Sequence, residues 1–477
     1  MGRERLAGEP GLQPPCRDRA RTPPVAHRQP ELPASRPRRP VPGDRRGRPG
    51  RPRGWRAEHP GRDRLRPAAP DRPVPGDCRV NVIQGARCPY RNGDQPTADP
   101  CADYLALREE DPVRWDEDLE VWIVSGFREV SALLRHPALS AAWPQRGTTT
   151  LHREGEGGER AAEVVRRWFM FNDDPQHAGA RRIVAPLFAA DRLAAMRPVV
   201  EELVDELLAG RTDGVEVMAD LAVPLSSRVI CRILGLPDDV APRLDHWAPD
   251  IAALLIADYL PEVRTRGHRA LREIGDVVEE ALRSEVREGT GLWLLDKARG
   301  EGAIESSDIW ATASLLIYAG FETTSTFIGK AVRAALHAGA WAGVRGREPA
   351  AVVDELLRFD TSVQQVARVA TAPVESAGRL IAEGDLVLLM LGVANRDPSV
   401  FAGPDLLDYD REIRRHLTFG FGAHYCLGAA LARMESEIVL ERLAGRWPDL
   451  ALDGPPVTRQ HFGITVLERL AVRGTGR

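Results

Sequence analysis

The sequence predicts a mostly α-helical protein with a small β portion, built as one large domain behind a separate N-terminal segment. Three observations carry this reading. From about residue 95 onward, apolar residues recur at helical spacing in long runs, the longest at 306–339. Strand-like alternation is confined to short patches. Residues 1–75 differ from everything after them, with 19 Arg, 17 Pro, no Lys and no hydrophobic period.

That first segment cannot bury enough apolar surface to offset its ordering entropy, so residues 1–79 are expected to be disordered and 80–477 to form the domain. A basic arm for an anionic partner, a transit peptide and upstream sequence with no folded role are the three readings open to it. Frequent Pro argues against the amphipathic helix of a transit peptide, and composition favours the third. Val80 or Val82 would then be an alternative start if its codon is GTG.

The tail carries a net charge of +11, whereas residues 76–477 carry 46 basic and 61 acidic side chains, a net of −15. An acidic body excludes a nucleic-acid role for the domain. No run of 18 apolar residues occurs and no signal peptide opens the chain, so no membrane association is expected. The six Cys, at 16, 78, 88, 101, 231 and 426, show no disulfide or metal spacing, which points to a reducing cytoplasm. Only Lys297 and Lys330 represent lysine, a bias consistent with a GC-rich genome.

Taken in order, 99–112 reads as a helix ending at Pro112, and 113–126 as a hairpin broken at Glu117 and Asp118. Helices follow at 127–136, 177–193, 195–210, 218–234, 240–260 and 266–287. The run at 306–339 has Ser307 or Asp308 as its expected N-cap and about 45 Å of length, enough to cross a domain. Another helix begins at Pro349 and ends near 359. Strands are expected at 366–370, 385–393 and 463–472, with a final helix at 427–445.

The segment LTFGFGAHYCLGAALARMESE (417–437) sets a lone cysteine, Cys426, at the entrance of that final helix. An isolated Cys is often a small buried hydrophobe, which is the reading taken for Cys231. At Cys426 a helix N-terminus would stabilise an anionic sulfur and lower its pKa. Gly420 and Gly422 would let the loop turn its amides toward the sulfur, and Gly428 would remove a Cβ beside a flat ligand.

The stretch FGFGAHYCLG (419–428) resembles the haem-binding loop of the cytochrome P450 family, and the resemblance extends from about residue 95 to the C-terminus. It implies the cytochrome P450 fold, haem b as cofactor, and Cys426 as the iron ligand with Phe419, Gly420 and Gly428 around it. Glu355 and Arg358, in ELLR, sit three apart on one helix face, which alone could be a solvated pair. The resemblance implies that they are buried and joined by Arg411 as structural support for the loop. It further implies His177, Arg181, Arg368 and His424 as partners of the haem propionates, a surface charge being the alternative for each one singly.

In AGFETT (319–324), small Ala319 and Gly320 leave room on the long helix, while Glu322 and Thr323 supply an acid and an alcohol. Read alone, both could face water or the preceding turn. The resemblance implies that Thr323 hydrogen-bonds oxygen and Glu322 relays protons to it. Phe321 stands where the family often has His or Gly, and is expected to face away from that site.

The implied activity is insertion of one atom of O2 into a small organic substrate, a secondary-metabolite intermediate, with electrons from ferredoxin and ferredoxin reductase. Arg414, Arg415 and Arg433 are candidates for a docking face on an acidic ferredoxin. Pocket walls are expected from 140–170, of which 143–165 would be mobile and act as a lid, from 200–260, from Leu316 and Ala319, and from 362–366 with Gln364 and Gln365 as polar contacts. A peroxide-driven or isomerase-type relative, and a non-catalytic haem sensor, are the alternatives.

Overall fold

The central feature is one helix, Ser306–His337, whose residues are buried along almost its whole length. Its 32 residues span about 48 Å. A helix apolar on all sides needs partners on all sides. It has them in Val223–Leu234, Ala241–Ala257, Pro349–Phe359 and Ala429–Arg446. Its start is a capping box: Glu305 is the N-cap, and the Asp308 carboxylate accepts the Glu305 N–H at 2.9 Å. The expected caps, Ser307 and Asp308, are therefore displaced by one turn. Two carboxylates satisfying each other's backbone outcompete a single hydroxyl. Arg167, from helix Glu159–Arg166 and the residue after it, reinforces this end at 2.9 Å from Asp308.

The computed structural model describes residues 111–144, 159–257, 260–412, 415–461 and 464–475. The expected helix at 99–112, the N-terminal segment 1–79 and most of the expected lid lie outside these residues. Where the sequence predicts 113–126 as a hairpin, Val113–Asp116 pairs antiparallel with Val121–Val124. Val121–Val124 then runs parallel to Leu386–Leu389, which pairs with Val366–Ala370, whose outer edge takes Leu139–Ser140. This sheet has its own apolar cluster beside the large helical core.

Several boundaries move for local reasons. The expected break between 177–193 and 195–210 falls earlier, because Pro186 ends Gln176–Val184 in a tight turn and Ala190–Leu208 starts after it. The expected strand 385–393 stops at Leu389 and gives way to the short helix Leu391–Ala394. Helix Gly291–Gly300 was not anticipated, its pattern being short and weakly amphipathic. No helix among the described residues is long and apolar enough to cross a membrane.

Glu435, on Ala429–Arg446, is fully enclosed and accepts one hydrogen bond, from Ser226 Oγ at 3.1 Å. Burial pushes its pKa up to about 8. The folded chain therefore keeps a proton that the unfolded chain releases above about pH 4.5, so this group lowers stability as pH rises from about 4.5 to about 8. Glu435→Gln should be more stable than the parent at pH 9, by on the order of 4 kcal/mol, and equal to it near pH 4. Urea unfolding at the two pH values measures this; equal gaps at both would refute the assignment.

Candidate functional site

Helix Pro349–Phe359 presents two consecutive carboxylates to opposite partners. Glu355 takes a bidentate pair from Arg358, Nε and Nη2 each at 2.8 Å, and the Nε–H of Arg411 at 3.1 Å from both oxygens. The Asp408 N–H adds a fourth contact at 2.9 Å. Remaining guanidinium donors go to the carbonyls of Asn395, Ala402, Gly403, Pro404 and Leu406. A buried ion triad holds only when its donors are satisfied, and here they are. The three expected support residues thus come together.

Asp354, the preceding residue, accepts from Arg433 Nε at 2.7 Å and lies 3.3 Å from His416 Nε2. Thr418 Oγ1 donates to the Leu357 carbonyl at 2.8 Å. Asn395 accepts the Leu417 N–H at 2.6 Å and donates to Thr418 Oγ1 at 2.9 Å. These contacts fix the start of the cysteine loop. Nothing in the sequence marked Asn395 for this task.

The loop closes where Cys426 N–H donates to the Phe419 carbonyl at 2.8 Å. Gly420 and Gly422 adopt φ of +69° and +80°, conformations that side chains disfavour. A Cβ on Gly428 would meet only Phe188, at 3.7 Å, so the polypeptide itself leaves room there. Cys426 carries accessible surface, yet protein surrounds its thiol closely enough for strong desolvation. The sulfur therefore lines an interior space. Burial pushes its pKa up; the Gly428 N–H and the charges of Arg181 and Arg433 only partly offset this. The helix end acts in the expected direction, through the Gly428 N–H, but desolvation outweighs it in the polypeptide alone, and a cation at the sulfur would hold it as the anion. Cys231 is a buried core residue whose thiol burial pushes up to about 12, as expected of a hydrophobe.

Four basic side chains converge beside the loop. The rings of His177 and His424 lie 4.0 Å apart, and Arg181 Nη2 donates to the Tyr425 carbonyl at 2.6 Å. Arg368 is buried, donates to the carbonyl of Ala367, and has its pKa lowered to about 10 by burial. Burial, then Arg368 and His177, bring His424 down to about 3, so it is neutral in the polypeptide. His177 Nδ1 faces Asp174 at 3.2 Å, while its buried Nε2 has no partner. Asp173, the other nearby acid, is engaged by Ser140 Oγ and the Ala141 N–H. The cluster is a ready receptor for anionic groups.

The middle of the central helix also keeps an accessible face. Between buried neighbours, Ala319, Gly320 and Thr323 keep accessible surface. Thr323 Oγ1 donates to the Ala319 carbonyl at 2.8 Å. Gly320 has a packing reason besides the one expected: a Cβ there would come within 2.9 Å of Ile230, so its absence lets helix Val223–Leu234 approach. Phe321 is buried in the helical core, away from the accessible face. Glu322 is also buried, one Oε2 without a partner, and burial raises its pKa to about 7 against the charge of Arg459. It does not face solvent directly.

Of the expected docking arginines, Arg414 lies outside the described residues. Arg433 is engaged by Asp354 and stacks 4.5 Å over Phe419, so it is a loop anchor. Arg415 is exposed, 4.0 Å over the Phe421 ring, with exposed Arg135 at 4.6 Å from the same ring.

Residues 350–446 match the family model described as Cytochrome P450. The chain is 36% identical to pentalenic acid synthase of Streptomyces avermitilis over 391 residues, covering 79% of this chain and 92% of that one. It is 33% identical to 6-deoxyerythronolide B hydroxylase of Saccharopolyspora erythraea over 392 residues, 78% and 95% of the two chains. The crystal structure of CalO2 superposes with a TM-score of 0.74 at 32% identity, covering 79% of this chain and 96% of that chain.

Removing the carboxylate beneath the loop should be severe. Glu355→Gln leaves Arg358 and Arg411 buried without a counter-charge and should destabilise the protein by about 3–5 kcal/mol. A loss below about 1 kcal/mol in urea unfolding would contradict the buried triad.

Proposed function

Because this chain belongs to the cytochrome P450 family, haem-thiolate enzymes that incorporate oxygen from O2, we propose that it hydroxylates or epoxidises a small organic substrate, a secondary-metabolite intermediate. The observation that carries the site assignment is the cluster of two arginines, Arg181 and Arg368, with the imidazoles of His177 and His424, beside a thiol that lines an interior space. Two buried propionates need such cations, and among the described residues Arg368 has no carboxylate partner in hydrogen-bonding range. The residues fit haem b: Cys426 as iron ligand, the four basic residues at the propionates, Phe419, Gly420 and Gly428 along the loop, and the Ala319–Gly320 turn opposite. When bound, the haem supplies dioxygen reduction and transfer of one oxygen atom to substrate.

The polypeptide's own part is proton management and exclusion of water. Glu322, buried and near half-protonated at neutral pH, holds a proton at its carboxyl. Thr323 reaches the accessible face, where its hydroxyl leaves the Ala319 carbonyl to donate to oxygen or to water. The Glu355 triad and Asp354 keep the cysteine loop from shifting as the sulfur's charge changes.

Electrons come from a ferredoxin and its reductase, in a cytoplasmic setting. Exposed Arg135 and Arg415, held on opposite contacts of Phe421 next to the loop, form the docking face, and Arg433 leaves that role.

Reduced protein under CO should show the long-wavelength Soret band of thiolate ligation, and Cys426→Ala should lose it; an unchanged band in the variant overturns the ligand assignment. Thr323→Ala should keep that band yet lower product per electron consumed at least tenfold, with hydrogen peroxide appearing instead. Full product yield from Thr323→Ala would favour the peroxide-driven or isomerase reading, and absence of any reductase-supported turnover the sensor. Product formation by the parent should decline as pH rises through about 7, where the Glu322 proton is lost, and Glu322→Gln should flatten that profile.

A further inference from the structure

Lys330 is one of two lysines in an Arg-rich chain, and it has no accessible surface. Its Nζ lies 2.7 Å from Asp360 Oδ1 and donates to the Thr361 carbonyl at 2.7 Å. Arg333, three residues further along the central helix, donates to Asp360 Oδ2 at 2.7 Å. Burial alone would push the Asp360 carboxyl up, but the charges of Lys330 and Arg333 hold it below the ordinary carboxylate range. A buried triad of this kind is a poor stabiliser compared with apolar packing, so its stronger consequence is to fix geometry. The compact ammonium serves Asp360 and a neighbouring carbonyl from this enclosed point.

What it fixes is the connector between helix Pro349–Phe359 and strand Val366–Ala370. Within the connector, Gln364 Nε2 donates to the Thr361 carbonyl at 2.5 Å, and the Gly392 N–H donates to the Gln364 carbonyl at 3.1 Å. Ser362 Oγ donates to the carbonyl of Thr323 at 2.9 Å. The connector is thereby tied to the turn in the middle of the central helix whose side chains keep accessible surface. Val363 and Val366 keep partial accessibility between buried neighbours and pack against the apolar cluster of the sheet.

We propose that Lys330 and Asp360 are positioning residues that lock connector 361–365 over the Ala319–Thr323 turn, and so set how a substrate lies against Thr323. This rests on the monooxygenase reading of the same site. Lys330→Met keeps the stem's bulk and leaves Arg333 paired with Asp360, so the variant should fold. In the holoprotein, hydrogen exchange of amides 361–366 should speed up at least tenfold while 349–359 stay unchanged. The dissociation constant of 4-phenylimidazole, read from the Soret shift, should change at least fivefold. Ser362→Ala, which cuts only the bridge to Thr323, should change that constant without faster exchange. Glu435→Gln, a buried-charge change elsewhere, should move neither.

Unchanged exchange in Lys330→Met overturns the lock. Faster exchange with an unchanged dissociation constant in both Lys330→Met and Ser362→Ala overturns the positioning role. If the parent lacks the long-wavelength CO band, the monooxygenase reading fails by itself, while the exchange result still decides whether the lock exists.

Discussion

The structure turns on an excess of positive charge held in its interior next to a single sulfur. Arg181 and Arg368 stay cationic while the tilted rings of His177 and His424 lie 4.0 Å apart; of the nearby acids, Asp174 faces His177 and Asp173 is engaged by Ser140 and Ala141. Unpaired buried cations oppose folding by several kcal/mol after relaxation. The polypeptide lowers the penalty where it can: His424 is kept neutral and Arg368 is brought down to about 10. What remains is stabilised when anionic groups enter, so cofactor binding and native stability are linked.

The same logic explains why so much of the scaffold is ionic. Helix Pro349–Phe359 reaches in three directions: Glu355 to the segment ending at Arg411, Asp354 to His416 and Arg433 around the cysteine loop, and Asp360, just past its end, to Lys330 and Arg333 on the central helix. The face carrying the sulfur and the face carrying Thr323 are therefore referred to one rigid element. Apolar packing alone would allow sliding by fractions of an ångström; multidentate, fully donated ion contacts do not.

The helical architecture was legible in the sequence because its signals are local and periodic, as with the run that became Ser306–His337 and the ELLR pair that became a bidentate contact. The cysteine loop was legible for a different reason: Gly420 and Gly422 occupy positive φ, which few other residues tolerate. Lost to the sequence were features decided by tertiary neighbours. Asn395 acts through contacts 22 and 23 residues away, and Arg433 is claimed by Asp354 from another helix. The cap at Glu305 hid because reciprocal carboxylates look like ordinary acidic spacing, and the direction of the Cys426 shift because burial is invisible in a string. Lys330 did carry a signal, a lone lysine inside an apolar run, whose meaning appeared only with Asp360 opposite it.

Glu322 and Thr323 are neighbours in sequence but not in space. Successive helical residues point about 100° apart, and here one is sealed in the core while the other keeps accessible surface. A proton held at the Glu322 carboxyl cannot pass directly to the Thr323 hydroxyl, which is itself occupied by the Ala319 carbonyl at 2.8 Å. Transfer requires Thr323 to leave that backbone acceptor, and the helix tolerates the loss because the Ala319 carbonyl keeps its second lone pair for the main-chain ladder. Under the proposed function, acid storage and proton delivery would fall to separate side chains. The storage group would be tuned chiefly by burial, against the charge of Arg459, and the delivery group by its hydrogen bond to the Ala319 carbonyl.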